Sequence, residues 1–417
     1  MAELKQKVYF DYGATTPVSK EVFLAMQPYF SEKFGNASSI HFIGEEAAEA
    51  VQKSREQVAE YLGATFEEII FTSGATESNN LAIKGVVKKF LEKNPAGKPH
   101  VITTKIEHHC VVDSVKSLEK EGLIEATYLG INSNGIVEPE ELKFAVKKNT
   151  ILISVMYVNN EIGTVQPIKE IGRLIKELNE KREQKIIFHT DAVQAVNYFD
   201  CEVKNLGVDL LSFSGHKIYG PKGVGVLYIK KGSPIARIQD GGSHEFGLRA
   251  GTLNVPGIVG VGEAIKQIQP EKEKNTEFVK KLRDRLIAGI LKNVPGSYLN
   301  GPKESRSPNN ANLRFDNVEG EALLYALSFE GIAVSTASAC ASKSLKPSHV
   351  LIALGLPPEQ AHSSVRLTLG KYSTEQEVDY AIEVFPRVIE KLRQVSGNVL
   401  QERLGKREER LPEDFGC

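Results

Sequence analysis

The sequence predicts an α/β protein, with a large domain on a mainly parallel sheet and a smaller α/β domain after it. Three observations carry this. From about Ile69 to Lys230, apolar strand-like runs alternate with segments of helical period. Each run ends in small or polar residues, and in open sheets of this kind ligands collect at the carboxyl ends of strands. The 417 residues also exceed what one compact core organises, so two or three domains are expected.

Taken in order, "MAELKQKVYFDYG" is charged and enters an apolar stretch too short for a secretory signal, and no later apolar run reaches bilayer length. A cytosolic protein is expected. "EEIIFT" reads as a strand followed by the helix "SGATESNNLAIKGVVKKFLEK". "ILISVMYVNN" is followed by the helix "PIKEIGRLIKELNEK". "KIIFHTDAV" leads to the strand "VDLLSFSGHK", and "GVGVLYIKK" closes the series. A linker zone then gives way to "GEAIKQIQPEKEKNTEFVKKLRDRLIAGILKNV", a helix expected to break near Pro270. The second unit has strands at "ANLRFDNV", "IAVSTAS" and "SSVRLTLG" and helices near "GEALLYALSFEG" and "EVDYAIEVFPRVIEKLRQV". The tail from Gln401 to Cys417 is dense in charge and reads as exposed. We place the large domain at residues 15–262 and the small one at 1–14 with 263–417. No internal repeat or low-complexity tract is visible.

Composition narrows the function. The chain is 41% hydrophobic and 25% charged, and its 52 basic residues nearly cancel 53 acidic ones. A net charge of -1 argues against a strong electrostatic grip on nucleic acid or an anionic membrane. Cys110, Cys201, Cys340 and Cys417 are far apart and form no CxxC pair, which fits reduced thiols rather than disulfides or a zinc knuckle. "HHC" at 108–110 resembles a metal site only superficially: read as a strand, its adjacent residues face opposite sides, and no other ligand cluster supports it.

The chemistry gathers at strand ends. In "FTSGATESNNLAIKG" a strand turns through Gly74 into a helix starting near Ala75, whose free N–H groups form an anion site; the plain alternative is an ordinary turn capped by Thr76. Asp191 ends the run "FHTD", and Lys217 follows "LLSFSGH". Alone, Asp191 reads as a strand-end cap and Lys217 as a solvated loop cation. Together with the anion site they form the parts of a pyridoxal phosphate site: a lysine for a Schiff base, a carboxylate for the pyridinium proton and a cup for the phosphate. In "STASACASKS", Cys340 is either a small buried hydrophobe or a reactive thiolate, and its small, polar neighbours favour the second.

The motifs "TSGATESNN", "EHH", "VNNEIG", "HTDAVQ", "SFSGHKIYGPKG", "RAGTLN", "SACAS" and "HSSVRLTLG" stand in the order seen in cysteine desulfurases of the NifS/IscS-like class. The chain resembles this class from "FDYGATTP" to about Leu392, and so the fold type I pyridoxal phosphate enzymes of the class-V aminotransferase family, whose large sheet is of the seven-stranded type. The resemblance implies that Lys217 holds pyridoxal 5'-phosphate and moves protons, and that Asp191 pairs with the pyridine nitrogen. It further implies that Gln194 reaches the ring hydroxyl and that His108 stacks on the ring and serves acid/base steps. Ala75 backbone, Thr76, Ser214 and His216 would hold the phosphate, with Asn160 also on the cofactor. Thr252 would complete the phosphate cup of a neighbouring subunit, making the enzyme a homodimer, and Arg366 with Asn36 would fix the substrate carboxylate.

The resemblance also makes Cys340 the nucleophile that takes sulfur from L-cysteine as a persulfide, leaving L-alanine. The acceptor would be an iron-sulfur scaffold, a tRNA-thiolation protein or another carrier. Cys110 would pack near the cofactor and Cys201 in the core, both without chemistry, and Cys417 would be incidental. Three positions depart from the family pattern: Ala37 replaces a frequent proline, Phe246 a common arginine and Ala337 a frequent glycine. Alternatives that stay open are a related aminotransferase or β-lyase, a selenocysteine lyase, and a silent scaffold.

Overall fold

The computed structural model describes residues 6–336 and 346–408, with side chains to residue 395. Near the N-terminus, β1 (Val8–Tyr9) precedes the large sheet. That sheet comprises β2 (Ile69–Thr72), β3 (His100–Thr104), β4 (Glu125–Leu129), β5 (Thr150–Ser154), β6 (Ile187–Asp191), β7 (Leu210–Ser214) and β8 (Gly225–Ile229). Its order is β2-β8-β7-β6-β5-β3-β4, parallel except at β8, which runs antiparallel to both β2 and β7. The large, mainly parallel sheet expected from the sequence is present, and β3 and β4 add two strands to those expected.

Alternation along the strands explains why both faces are covered. Ile69 and Phe71 enter one core and Ile70 the other; likewise Leu211 and Phe213 oppose Leu210, and Val226 and Tyr228 oppose Leu227 and Ile229. A sheet buried on both sides needs helices on both sides. The helix Ala75–Lys93 supplies Leu81, Ile83, Val86 and Val87 to one face. The helix Phe42–Leu62 supplies Val51, Val58 and Leu62 to the other. Burying each such side chain contributes about 1.5–3 kcal/mol, so Phe213→Ala, which also leaves a cavity, costs about 3–5 kcal/mol.

The second sheet is antiparallel. It contains β9 (Ser297–Leu299) and β10 (Asn310–Phe315), while β11 (Ile332–Ala333) pairs with β1. Then β12 (Ser335–Thr336) and β13 (Ser364–Thr368) complete the order β12-β13-β10-β9. Its core takes Val8 and Phe10 from the N-terminus together with Leu313, Phe315, Val365, Leu367 and Phe385. "IAVSTAS" therefore forms two short strands in two sheets rather than one.

Pro270 does not break the helix, which runs from Val255 to Asn293. A proline removes one amide donor and crowds the preceding turn, but packing on either side outweighs that cost here. Val261 and Ile265 lie in the large core, and Val279, Leu286 and Ile290 in the small one. We propose that the domain boundary lies within this helix and that, of residues 1–14, the described ones, 6–14, belong with the small unit. The helix Glu375–Glu408 continues into the start of the charged tail; residues 409–417, with Cys417, lie outside the described residues.

Candidate active site

A cavity of about 810 Å³ opens at the carboxyl ends of the large-sheet strands. Its walls include Ser73 to Glu77, His108 to Cys110, Asn160, Glu161, Asp191, Gln194, Ser214, His216 and Lys217. Lys346 to His349 and Arg366 close it from the second unit.

At its floor, β2 ends in a turn whose N-cap is Gly74, with φ 153° and no side-chain cap. The antiparallel β8 passes close beneath: a Cβ on Gly225 would lie 2.6 Å from the Gly74 Cα. Both glycines are needed for this approach, and the first amides of the helix Ala75–Lys93 remain available to an anion. Thr76 is inside the helix, not its cap. Glu77 accepts from the Ser73 N–H at 2.7 Å and pairs with Arg249 at 2.7 Å, tying this turn to the loop before Thr252.

Asp191, at the end of β6, is buried and accepts from Asn79 Nδ2 at 2.7 Å and the Val193 N–H at 3.0 Å. Lys217 Nζ donates to the carbonyls of Gly13 at 2.5 Å and Ala14 at 2.7 Å, and Gln194 Nε2 donates to Gly13 at 3.1 Å. The "FDYGATTP" segment thus meets both side chains. His216 contacts Thr15 Oγ1 at 3.2 Å, and burial, with Lys217 and Lys222 nearby, pushes its pKa down to about 4. His108 caps the helix His109–Lys120, accepting at Nδ1 from the Cys110 N–H, and burial lowers its pKa. "HHC" is therefore a helix start rather than a strand.

The opposite wall comes from afar. Arg366, in β13, donates to the carbonyl of Asn160 and to Asp11 Oδ1, each at 3.0 Å, and its buried Nε has no partner among the described residues. Glu161 is buried behind it, with a short hydrogen bond from Ser348; burial raises its pKa to about 7 against the opposing effects of Ser348 and Arg366. Glu107, fully buried, accepts from the Met156 N–H and Thr104 and is pushed up to about 8 by burial. Its backbone carbonyl meets His349 Nε2 at 2.9 Å.

Of the sequence-derived residues, Lys217, His108, Ala75, Thr76, Asn160, Asp191, Gln194, Ser214, His216 and Arg366 line this one cavity. Asn36 does not: it is exposed, and its side-chain oxygen accepts from the Ser38 N–H. Thr252 is exposed and off the cavity. Cys340 and Ala337 lie outside the described residues, between Ser335, which pairs with Arg366, and Lys346 on the cavity wall. Cys201 is buried in the large core. Phe246 lies over Arg55, 5.1 Å from ring centre to guanidinium carbon, and Arg55 is itself held by Glu245 at 2.6 Å.

The sequence reading passed over Asn79, Glu107, Glu161 and Ser348. A carboxylate three residues after the mostly apolar run "ILISVMYV" is the available signal for Glu161.

A mostly parallel sheet with a lysine, a carboxylate and a histidine at its strand ends defines a class, and a family model bears on it. The model described as Aminotransferase class-V matches residues 8–381, and the chain belongs to that family. Within it the chain is similar to proteins named cysteine desulfurase IscS. That of Dictyoglomus turgidum is 52% identical over 94% of this chain and 97% of its own length, and that of Methanosarcina thermophila 51% over 93% of each. Among solved structures, one titled NifS-like protein superposes with TM-score 0.85 at 39% identity, covering 92% of this chain and all of its own. Another, titled SspA in complex with cysteine, gives TM-score 0.76 at 38% identity, over 88% of this chain and all of its own.

Proposed function

We propose that this chain is a cytosolic, homodimeric cysteine desulfurase that uses pyridoxal 5'-phosphate to convert L-cysteine and an acceptor thiol to L-alanine and a persulfide. The observation that carries the reading is the single cavity in which Lys217, Asp191 and His108 face Arg366.

The donor set fits the cofactor. Amides after Gly74, with Thr76, Ser214 and His216, suit a phosphate; Asp191 suits a pyridinium nitrogen, Gln194 a ring hydroxyl and Lys217 covalent attachment. When bound, the cofactor supplies an electron sink for the carbon next to the amino group. Arg366 orients the substrate carboxylate, for which its Nε–H, without a partner among the described residues, is a ready donor. Lys217 moves the proton at the α-carbon, and His108 would stack on the ring and serve acid/base steps. Cys340, as a thiolate, forms the new S–S bond as the substrate Cβ–S bond breaks; the electron pair of that bond passes to Cβ, which takes up one proton, matching the one given up by the Cys340 thiol, so that alanine and a persulfide result. Both described flanks of its segment border the cavity wall.

Exposed Phe23, Leu24, Phe30, Phe34 and Phe42, within residues 23–42, support association of two copies, with Thr252 reaching the partner's site. Among the described residues no helix is long and apolar enough to cross a membrane. The acceptor we propose is an iron-sulfur scaffold or a tRNA-thiolation protein.

Product analysis tests the reading: purified protein, L-cysteine and a reductant should give alanine and sulfide in equal amounts. Pyruvate instead would make the chain a β-lyase. Cys340→Ser should keep the cofactor and the spectral response to L-cysteine yet make no persulfide and almost no alanine, because a serine hydroxyl is scarcely ionised at neutral pH. Unchanged alanine release by that variant would overturn the role of Cys340.

A further inference from the structure

Cys110 is a free cysteine in the first turn of the helix His109–Lys120 and lines the cavity. Its Sγ lies 3.0 Å from His108 Nδ1 and 3.1 Å from Asn79 Nδ2. The same Asn79 nitrogen is 2.7 Å from Asp191 Oδ2, and a carboxylate only accepts, so this is the NH2 side of the amide and it donates to the sulfur too. Burial, reinforced by Asp191, pushes the Cys110 thiol up to about 12, so it keeps its hydrogen. With Asn79 acting as donor, the acceptor within reach of that hydrogen is His108 Nδ1. The Cys110 backbone N–H also points there, at 3.2 Å. A ring nitrogen that receives two donors carries no hydrogen of its own, which leaves the hydrogen of a neutral imidazole on Nε2.

We propose that Cys110 is a positioning residue that holds His108 as the neutral Nε2–H imidazole at the cavity wall. This rests on the proposed part of His108 in the reaction and deepens it. Held this way, His108 presents a hydrogen-bond donor to the cavity, and it takes up a proton only when Nδ1 gives up the Cys110 contacts. The charged groups around it do not decide the matter: Asp191 and Asp113 favour its protonation, while burial, Lys217 and His109 oppose it, and burial is the largest effect. His349 lies against His109, with ring centroids 4.8 Å apart and planes tilted by 56°.

The test compares the full-length holoenzyme with Cys110→Ala and Cys110→Ser. Nitrogen-15 NMR of labelled histidines, with His108 assigned by its loss in His108→Gln, reads tautomer and titration directly. The unmutated protein should show a bare Nδ1 and a protonated Nε2. A donor to the neutral form disfavours the charged one, so Cys110→Ala should raise the His108 pKa by about half a unit or more. The acid limb of kcat/KM should move up with it, and Cys110→Ser, whose hydroxyl also donates, should bring both back. An Nδ1–H tautomer in the unmutated protein, or His108 titrating alike in all three, overturns the proposal. A rate loss in Cys110→Ala without a pH shift makes Cys110 a packing residue and overturns it as well. The NMR readout requires no turnover, so failure to release alanine would sink the proposed function and leave this result standing.

Discussion

The two walls of the cavity are built by different means. On the large-sheet side, Asp191, Ser214 and Lys217 stand at the carboxyl ends of the neighbouring strands β6 and β7, so a run of apolar residues followed by polar ones is enough to place them. On the other side, Arg366 is held by Asp11 and by the Asn160 carbonyl, partners 355 and 206 positions away, and Ser348 meets Glu161 across 187. One wall is a property of sheet topology and the other of the way two units pack. The first should govern how the cofactor is held and the second how cysteine is held.

Substitutions can break that division. The largest effect is expected for Lys217→Ala, which should abolish the borohydride-reducible link to the cofactor and lower turnover by about 10²–10⁴-fold or more. A reduced adduct that instead mapped to Lys222 would reassign the attachment site. Arg366→Gln should raise the KM for L-cysteine about 10- to 100-fold, the value of a charge-assisted hydrogen bond, with the cofactor retained. If it lost the cofactor as readily as cysteine, the two walls would not be functionally separate.

Glu107 gives a subtler measure, because it sits where the walls meet. Burial raises its folded pKa from the ordinary 4.5 to about 8, so between those pH values the folded state binds more protons than the unfolded one. Stability should therefore fall as pH rises through this window, by up to about 1.4 kcal/mol per pH unit from this group. Glu107→Gln should flatten that slope in thermal melts recorded from pH 5 to 8, and an unchanged slope would mean that Glu107 ionises normally. The smallest effect is expected for Thr252→Ala, a loss of about 1 kcal/mol in cofactor binding, or roughly fivefold in retention, without unfolding. Full activity in a monomer at low concentration would remove Thr252 from the site.

Much of the fold was legible because its signals are local. The strands β2, β5, β6, β7, β8, β10 and β13 follow from apolar runs bounded by turn residues. The strand β4 was not, since the partly buried "EATYL" lacks a continuous apolar run. Pro270 misled for the opposite reason, a strong local signal overruled by packing on both sides of it.

The sequence by itself determined the class of fold and the placing of Lys217 and Asp191 after the large-sheet strands, because each depends on residue type at the end of a strand. Only the tertiary structure decided that Arg366 faces that wall, that Asn36 stays outside it, and that Cys110 touches both His108 and Asn79. Asn79 lies 31 residues before Cys110 and 112 before Asp191, on a helix that crosses the sheet. Hydrogen bonds of this kind are set by how helix and sheet pack, and no periodicity along the chain encodes them.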